Sequence, residues 1–295
     1  MTDFSVKKKA YAKINLTLEI LGTKRNDGYH DIASVMQKIP HCDELEVCGK
    51  TAFANGISLE TSGNGIPCDE RDNLAYKAAE KYLEKYTQKS GKKAEISIKL
   101  HKIIPSGAGL AGGSADAACV LRALFETLGV LNEKELFSIG LSLGSDVPFC
   151  LSEHTCALCT GRGEIMTILP SLSGVYLSVI FPEEPLITKG IYAEYDKENG
   201  EDYGKDNSQK FAYALSENKE KDEILSYMTN DFQTLCEKRC ESIKKACTML
   251  SRDGAKSLMT GSGSAVYGIF TEREKFEKSK GNTYENGWKR FDYAL

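Results

Sequence analysis

The stretch Pro105-Ser-Gly-Ala-Gly-Leu-Ala-Gly-Gly-Ser-Ala-Asp-Ala117 decides how this chain folds. Four of its glycines fall between Gly107 and Gly113, after the alternating run 96–100 and before the helix-forming run 117–128. A turn with few side chains between a strand and a helix lets several backbone N–H groups converge, and the helix N-terminus adds partial positive charge. The sequence therefore predicts a loop that binds a polyphosphate.

Several kinds of glycine-rich loop compete for this stretch. Gly107, Gly109 and Gly112 match the dinucleotide fingerprint, but that motif needs an acidic residue at the end of a second strand. Glu126 stands near the required offset and lies inside a predicted helix. A Walker A loop is excluded because no Gly-Lys-Ser/Thr follows. The remaining readings are a nucleoside-triphosphate loop of another family and a turn without a ligand. Because glycine is entropically costly in a folded chain, the density of glycines favours the ligand.

Composition narrows the class of protein. The chain has 295 residues and a formal net charge of −4, with acidic and basic residues interspersed, which argues against a nucleic-acid partner. No run reaches the ~18 apolar residues of a membrane span, and no apolar segment follows the N-terminal lysines. We therefore expect a cytoplasmic protein that does not bind membranes.

The ten cysteines include a lone Cys156-Ala-Leu-Cys159. We expect reduced thiols that pack as small hydrophobic residues, with no metal site.

The pattern of apolar residues predicts strands and helices that do not alternate regularly, which is typical of an α+β fold. The predicted strands are 12–20, 32–39, 43–47, 56–60, 156–160, 174–181 and 265–270. The predicted helices are 73–86, 117–128, 134–143, 187–195, 223–236 and 241–251. Residues 196–222 are rich in charge and predict a long surface excursion with a short helix at 211–215. The segment after Thr271 has no assignment.

Polar residues in three of these segments are candidates for chemistry. Lys13 and Asn15 share the strand face opposite the apolar residues, so they are either solvated or a paired cation and amide suited to a phosphate or hydroxyl. Asp146 lies where a helix is predicted to end and a strand to begin, as either a turn residue or a general base. Tyr29 and His30 follow a turn, and such a pair is either a surface feature or a holder for a heterocyclic base.

Taken in order, the motifs resemble those of the GHMP kinase superfamily, over about residues 10 to 270. The matching segments are Ala12-Lys-Ile-Asn-Leu16, Asp27-Gly-Tyr-His30, the glycine loop 105–117, Gly144-Ser-Asp-Val-Pro-Phe149, Gly161-Arg-Gly-Glu164 and Thr260-Gly-Ser-Gly-Ser264. The resemblance implies a two-domain α+β GHMP kinase fold. Its N-terminal half, 1–155, would resemble ribosomal protein S5 domain 2 and bind ATP, and its C-terminal half, 156–295, would be ferredoxin-like and bind the substrate.

Within the superfamily, the Asp-Gly-Tyr-His segment resembles the members that act on CDP-methylerythritol rather than on mevalonate, homoserine or galactose. The resemblance implies transfer of a phosphoryl group from ATP, with Mg²⁺, to the acceptor's 2-hydroxyl, in non-mevalonate isoprenoid synthesis, by a monomer or weak homodimer.

The resemblance also assigns roles to individual residues. Lys13 and Asp146 would be catalytic. Residues near ATP would be Asn73, Pro105, Ser106, Gly107, Ala108, Gly109, Leu110, Ala111, Gly112, Gly113, Ser114 and Ala115. Residues that bind the acceptor would be Asn15, Tyr29, His30, Thr188, Tyr192, Gly261 and Ser262, with Tyr192 stacking on the base opposite Tyr29.

The chain departs from the superfamily pattern at Ala111 and Ala115, where a glycine and a second serine are usual. A methyl group at Ala111 requires a negative φ, and Ser114 is left as the one obvious side-chain oxygen for metal or phosphate. Three alternatives stay open at this point: a GHMP kinase for another small molecule, a nucleotide-binding regulator without catalysis, and a dinucleotide oxidoreductase.

Overall fold

The computed structural model describes residues 4–22, 25–26, 28–64, 69–182, 188–199, 206–282 and 287–295. Its strands are β1 Phe4–Asn15, β2 Thr17–Ile20, β3 Ile32–Ala52, β4 Gly56–Gly63, β5 Lys93–Lys102, β6 Cys156–Gly161, β7 Ile165–Leu169, β8 Tyr176–Phe181, β9 Thr229–Asn230, β10 Lys256–Met259, β11 Val266–Phe270 and β12 Lys289–Ala294.

A short 3₁₀ turn, Glu70–Asp72, precedes the first of the α-helices. These helices are α1 Leu74–Ser90, α2 Gly112–Leu128, α3 Glu133–Leu143, α4 Val147–Leu151, α5 Thr188–Asn199, α6 Asn207–Ser216, α7 Lys221–Ser226, α8 Gln233–Arg239, α9 Glu241–Arg252 and α10 Arg273–Ser279. Because strands and helices do not alternate and most strand pairs are antiparallel, the α+β prediction is confirmed.

The chain divides into two compact units, each made of separate stretches of sequence. The first unit holds Met1–Ala12, Pro40–Ser106 and Ala111–Glu153, and the second holds Lys13–Ile39, Gly107–Leu110 and His154–Leu295. The division into domains 1–155 and 156–295 stays a prediction.

In the first unit, β5 pairs antiparallel with residues 44–52 of β3 and parallel with β4. Every second residue of β5 is buried, so its apolar side chains face the core that α1 and α2 cover. Helix α1 begins where the Asn73 side chain accepts a hydrogen bond from the backbone N–H of Ala75, as an N-cap does.

In the second unit, residues 32–37 of β3 pair antiparallel with β6, β6 pairs with β7, and β2 pairs parallel with β9. A separate antiparallel sheet in the same unit has the order β10-β11-β8-β12. Helix α9 packs on this sheet at Gly268, where a Cβ atom would meet Leu250 and Ala255.

Some predicted elements differ from those observed. Segments 32–39 and 43–47 belong to one strand, β3. Pro40 lies between residues 32–37, which pair with β6, and residues 44–52, which pair with β5, so its missing N–H group interrupts neither pairing. The predicted helix 223–236 is wrong: α7, β9 and α8 occupy this region. The short pairing of β9 with β2 overrides helix propensity there.

The segment 196–222 is also more structured than predicted. Helix α5 continues to Asn199, and α6 spans Asn207–Ser216 with Phe211 fully buried. The short helix predicted at 211–215 is confirmed within α6, which begins earlier, at Asn207. The C-terminal segment without an assignment forms α10 and β12.

In the part of the chain that the structure describes, no helix is both long and apolar enough to cross a bilayer. The cysteines of the CxxC motif, Cys156 and Cys159, are buried on β6. Burial raises the pKa of Cys156 to about 12, so this thiol is neutral and packs as a small hydrophobic residue.

Candidate active site

Lys13 and Asn15 are buried in the second unit, where they form part of a hydrogen-bonded network. The Lys13 ammonium donates to Asn15 Oδ1 over 2.7 Å, and Asn15 Nδ2 donates to Ser34 Oγ over 2.8 Å. The backbone N–H of Asn15 donates to Thr260 Oγ1 over 3.1 Å. Because Lys13 is only 3% exposed, the reading of a solvated surface lysine is excluded. A buried cation held by an amide is suited to binding an anionic group.

The tip of the glycine loop lies on this network. The Lys13 N–H donates to the Leu110 carbonyl over 3.1 Å, and the Ala265 N–H donates to the Ala108 carbonyl over 3.1 Å. The Thr260 hydroxyl lies 3.4 Å from the Gly109 carbonyl oxygen. The structure therefore brings Lys13, Asn15, residues 107–110 and the turn 260–264 together.

Close backbone packing explains why both turns are rich in glycine. Gly109 and Gly261 have φ values of 77° and 58°, in the region that favours glycine. A Cβ atom at Gly109 would overlap the carbonyl oxygen of Thr260, and one at Gly261 would lie 3.0 Å from the carbonyl oxygen of Gly109. Asn230 completes the arrangement by donating its side-chain N–H groups to the carbonyls of Met259 and Gly261.

The start of helix α2 lies in the first unit, with Ala111 as its N-cap residue. Ala111 has φ 57° and ψ 30°, so the expectation that its methyl group needs a negative φ is wrong. This left-handed residue joins the glycine loop to the first turn of α2. Since alanine has no side-chain oxygen, no side chain caps this helix, and the N–H groups of its first turn point to the position that suits an anion.

We expect the Ala111→Gly variant to be more stable than the wild type by about 0.5–1 kcal/mol. Left-handed φ costs alanine ~1–2 kcal/mol, and the greater freedom of glycine in the unfolded chain cancels part of the gain. Chemical denaturation measures the change. Ala115→Gly is the matched control: Ala115 is buried inside α2, where glycine costs about 1 kcal/mol. A loss of stability in Ala111→Gly would contradict the left-handed assignment.

Asp146 lies at the start of helix α4 in the first unit, and no strand follows it as predicted. Pro148 occupies one of the first two positions of α4, where its missing N–H group is harmless, so it starts this short helix rather than breaking the chain. The Asp146 side chain makes no capping hydrogen bond. A Cβ atom at Gly144 would lie 3.8 Å from Ser114 Oγ, so the loop that carries Asp146 passes beside the Ser114 hydroxyl.

His30 and Tyr192 belong to an aromatic group in the second unit, and the ring of Tyr29, the residue before His30, contacts Arg162. His30 is buried and its Nε2 lies 2.7 Å from Asp196 Oδ1. The rings of His30 and Tyr192 have centroids 5.2 Å apart. Tyr29 is 44% exposed, and the Arg162 guanidinium carbon lies 3.4 Å from its ring centroid. One face of Tyr29 is therefore covered by Arg162, in a cation–π contact.

Two residues that contact His30 and Tyr192 were missed in the sequence. Asp196 falls in the charged segment interpreted as a surface excursion, and Phe232 falls in the wrongly predicted helix. Phe232 packs edge-on against Tyr192, with centroids 4.6 Å apart, and its N–H donates to Asn230 Oδ1. Asn230 thus connects the aromatic group to the turn at Gly261. Thr188 is the first residue of α5, and its side chain, like residue 27 of the Asp-Gly-Tyr-His motif, lies outside the described part.

A cluster of charged residues around Lys102, which precedes the glycine loop, was also missed in the sequence. In the first unit, the Lys102 ammonium donates to Asp43 and, over 2.6 Å, to Asp116. Burial raises the pKa of Asp116 to about 7, with Lys102 opposing the shift and Asp43 adding to it. The alternation of β5 was the available signal, because it places Lys102 on the same face as buried Ile98 and Leu100.

Family models match both halves of the chain. The GHMP kinases N terminal domain matches residues 73–154, and the GHMP kinases C terminal domain matches residues 211–280.

Curated relatives carry a more specific name. A 4-diphosphocytidyl-2-C-methyl-D-erythritol kinase of Clostridium botulinum (strain Alaska E43 / Type E3) is 38% identical over 92% of each chain. A kinase of the same name from Desulfotalea psychrophila (strain LSv54 / DSM 12343) is 37% identical over 89% of this chain and 84% of its own.

Solved structures give the same picture of the fold. A crystal structure of 4-(cytidine 5'-diphospho)-2C-methyl-D-erythritol kinase superposes with a TM-score of 0.72 at 29% identity, over 93% of each chain. Homoserine kinase from Cytophaga hutchinsonii ATCC 33406 superposes with a TM-score of 0.68 at 17% identity, over 98% of this chain and 93% of its own, which shows a shared fold alone.

Proposed function

This chain belongs to the family of 4-diphosphocytidyl-2-C-methyl-D-erythritol kinases, and we propose that it transfers the γ-phosphoryl group of ATP to the 2-hydroxyl of that substrate. The observation that carries the proposal is the buried network of Lys13, Asn15 and Thr260 on which the tip of the glycine loop rests. A fixed cation beside a phosphate loop is what phosphoryl transfer needs.

In the proposal, residues 105–115 hold the phosphates of ATP and Asn73 lies near the adenine. The first turn of α2 begins at Gly112 and has no side-chain cap, so its N–H groups are suited to phosphate oxygens. Mg²⁺ in such sites takes one or two protein oxygens and completes its shell with phosphates and water. The Ser114 hydroxyl, beside the loop that leads to Asp146, fits that donor set. When bound, the ion would neutralise charge on the transferred group.

The proposed chemistry is a single displacement. The substrate's 2-hydroxyl oxygen forms a bond to the γ-phosphorus, the bond between that phosphorus and the bridging oxygen breaks, and ADP leaves. Asp146 accepts the hydroxyl proton as general base. Lys13 stabilises the negative charge that develops on the attacking oxygen. Asn15 contacts the erythritol or phosphate end of the acceptor, and Gly261 and Ser262 line its methylerythritol end.

The cytidine end of the acceptor is assigned to the aromatic group. Tyr29 and His30 hold the base, and Tyr192 and Thr188 complete its binding. Arg162 lies over one face of the Tyr29 ring, and we place the cytosine ring against Tyr29 and His30. The contact of the buried His30 ring with the half-buried Asp196 fixes the imidazole in place for a hydrogen bond to the base.

The test of the function is a coupled assay of ADP release with CDP-methylerythritol, ATP and magnesium. We expect ADP release only when the acceptor is present. Among the substrates of related kinases, only CDP-methylerythritol should compete for the acceptor site. Mevalonate and homoserine are the matched controls, and NADPH binding tests the oxidoreductase alternative. No release above the ATP-only background would defeat the proposal. A cytoplasmic location and a monomeric or weakly dimeric state are part of it, and light scattering of the purified protein tests the latter.

We expect Lys13→Ala to lower kcat by about 100-fold or more, because it removes a preorganised charge at the reacting oxygen. The KM for the acceptor should change by only about a few fold. Lys8→Ala is the control, since Lys8 lies on the same strand and pairs at the surface with Glu126. A raised KM for the acceptor with unchanged kcat would make Lys13 a binding residue rather than a catalytic one.

A further inference from the structure

Lys102 is a buried cation at the end of β5, just before the glycine loop begins. It is 6% exposed and continues the face of β5 that carries Ile98 and Leu100 into the core. In the described residues its ammonium pairs with two carboxylates, those of Asp43 and Asp116, which are also buried. Burial lowers the pKa of the Lys102 ammonium, but the two carboxylates outweigh this effect and the net shift is upward. Lys102 is therefore a permanent charge inside the first unit.

Asp43 connects Lys102 to the residues that lead into the loop. Its Oδ1 accepts hydrogen bonds from the N–H of Ile103 over 2.5 Å and of Ile104 over 2.8 Å. These residues directly precede Pro105. The side chain of Asp43 thus supplies partners for two backbone groups that no sheet pairing satisfies, and it holds the entering end of the loop.

Asp116 connects the same lysine to the residues that lead out of the loop. It lies in α2, after Gly112 at the helix start, and its Oδ2 accepts a hydrogen bond from Lys102 over 2.6 Å. The start of α2 packs against the same cluster: a Cβ atom at Gly112 would lie 3.0 Å from Ile104 Cγ2 and 3.3 Å from Lys102 Nζ.

We propose that Lys102, Asp43 and Asp116 form a clamp that fixes both ends of the glycine loop and so positions its backbone N–H groups for the phosphates of ATP. The inference rests on the proposed role of residues 105–115 in ATP binding. The three residues are positioning residues, since they act through the loop. A loop rich in glycine has few side chains of its own to fix its shape, so its ends have to be held from outside.

Stability alone does not account for the cluster. Burying two carboxylates with one ammonium carries a desolvation cost, and apolar residues of similar volume at such sites are often as stable or more so. In the described residues Asp116 Oδ1 is buried without a hydrogen-bond partner, which adds to that cost. The fixed geometry of the glycine loop offsets this desolvation cost.

The experiment measures ATP binding and the two Michaelis constants in Lys102→Met and in the double variant Lys102→Met/Asp116→Leu. The single variant leaves carboxylates unpaired and is open to unfolding, whereas the double variant replaces the pair by apolar groups and leaves Asp43 on its two N–H donors. In the double variant we expect the Kd for ATP, titrated with magnesium and without acceptor, to rise at least about tenfold. The KM for CDP-methylerythritol should stay within about twofold and the Tm near that of the wild type.

Lys89→Met is the matched control, because it removes a lysine of the same unit that pairs with Glu135 between α1 and α3. We expect its Kd for ATP to equal that of the wild type. A double variant that folds and binds ATP as tightly as the wild type would overturn the clamp. So would equal increases in the KM of ATP and acceptor, which indicate general loosening. Titration of ATP needs no turnover, so a wild type that binds ATP without phosphorylating the acceptor would refute the proposed function and leave the clamp testable.

Discussion

Asp146→Asn should bind ATP normally and phosphorylate its acceptor about 10²–10⁴ times more slowly than the wild type, the range that removal of a general base produces. The asparagine amide keeps the size of the carboxylate and cannot accept the hydroxyl proton. The Asp146 side chain makes no capping hydrogen bond at the start of α4, so the substitution changes no helix cap. Circular dichroism of the variant checks that it is folded.

Single-turnover kinetics with saturating ATP measure the chemical step directly, and equilibrium titration measures ATP affinity. Asp253→Asn is the control, since Asp253 accepts a hydrogen bond from Asn282 and has no proposed role. Near-normal turnover in Asp146→Asn would show that another group takes the proton. Combining it with Lys13→Ala adds a further test: residues that act as one unit give a double variant about as slow as the slower single variant.

Gly109→Ala should strongly destabilise this protein. The left-handed φ of 77° costs alanine ~1–2 kcal/mol, and the new Cβ atom would overlap the carbonyl oxygen of Thr260. A backbone oxygen held in a turn has no rotamer by which to move away. We expect a loss of at least about 3 kcal/mol of stability, within the range that distinguishes severe variants. Loss of the Thr260 and Lys13 contacts should also abolish measurable turnover.

Chemical denaturation followed by circular dichroism measures this loss. Gly113→Ala is the matched control for stability, because a Cβ atom there would make an ordinary contact with Leu74 Cδ1 at 3.5 Å, and its φ is not positive. Gly113 lies in the first turn of α2, where alanine is the better helix former. Equal stability of the two variants would mean that the Gly109 turn does not pack on Thr260 in solution.

The sequence predicted the α+β class and the membership of the GHMP kinase superfamily because its evidence is local. A glycine loop between a strand and a helix, and the helix predicted over 73–86, are read from neighbouring residues. The burial of Lys13 and Asn15 was open in the sequence, because a polar strand face is equally typical of solvent and of a site. Their partners, Ser34 and Thr260, come from distant segments.

What the sequence missed depends on contacts over long separations. Asp196 is positioned by its contact with His30, and Phe232 by its packing against Tyr192. No sequence pattern near either residue indicates these contacts. The positive φ of Ala111 was missed because a glycine in the sequence indicates a left-handed conformation and an alanine does not. Lys102 was the exception, since the period of β5 alone places it inside.

The order in which the second unit is assembled follows from its strand pairing. Ile32 in β3 pairs opposite Gly161 in β6, and Thr17 in β2 pairs opposite Thr229 in β9, so both partners are translated more than a hundred residues later. At ~5–20 residues per second, the early strands wait on the order of ten seconds on the ribosome with their edges unpaired. Such strand edges are sites of aggregation, and long-range pairing of this kind slows folding. Newly made chains should therefore depend on chaperone protection during synthesis far more than mature protein depends on it after a mild denaturing stress.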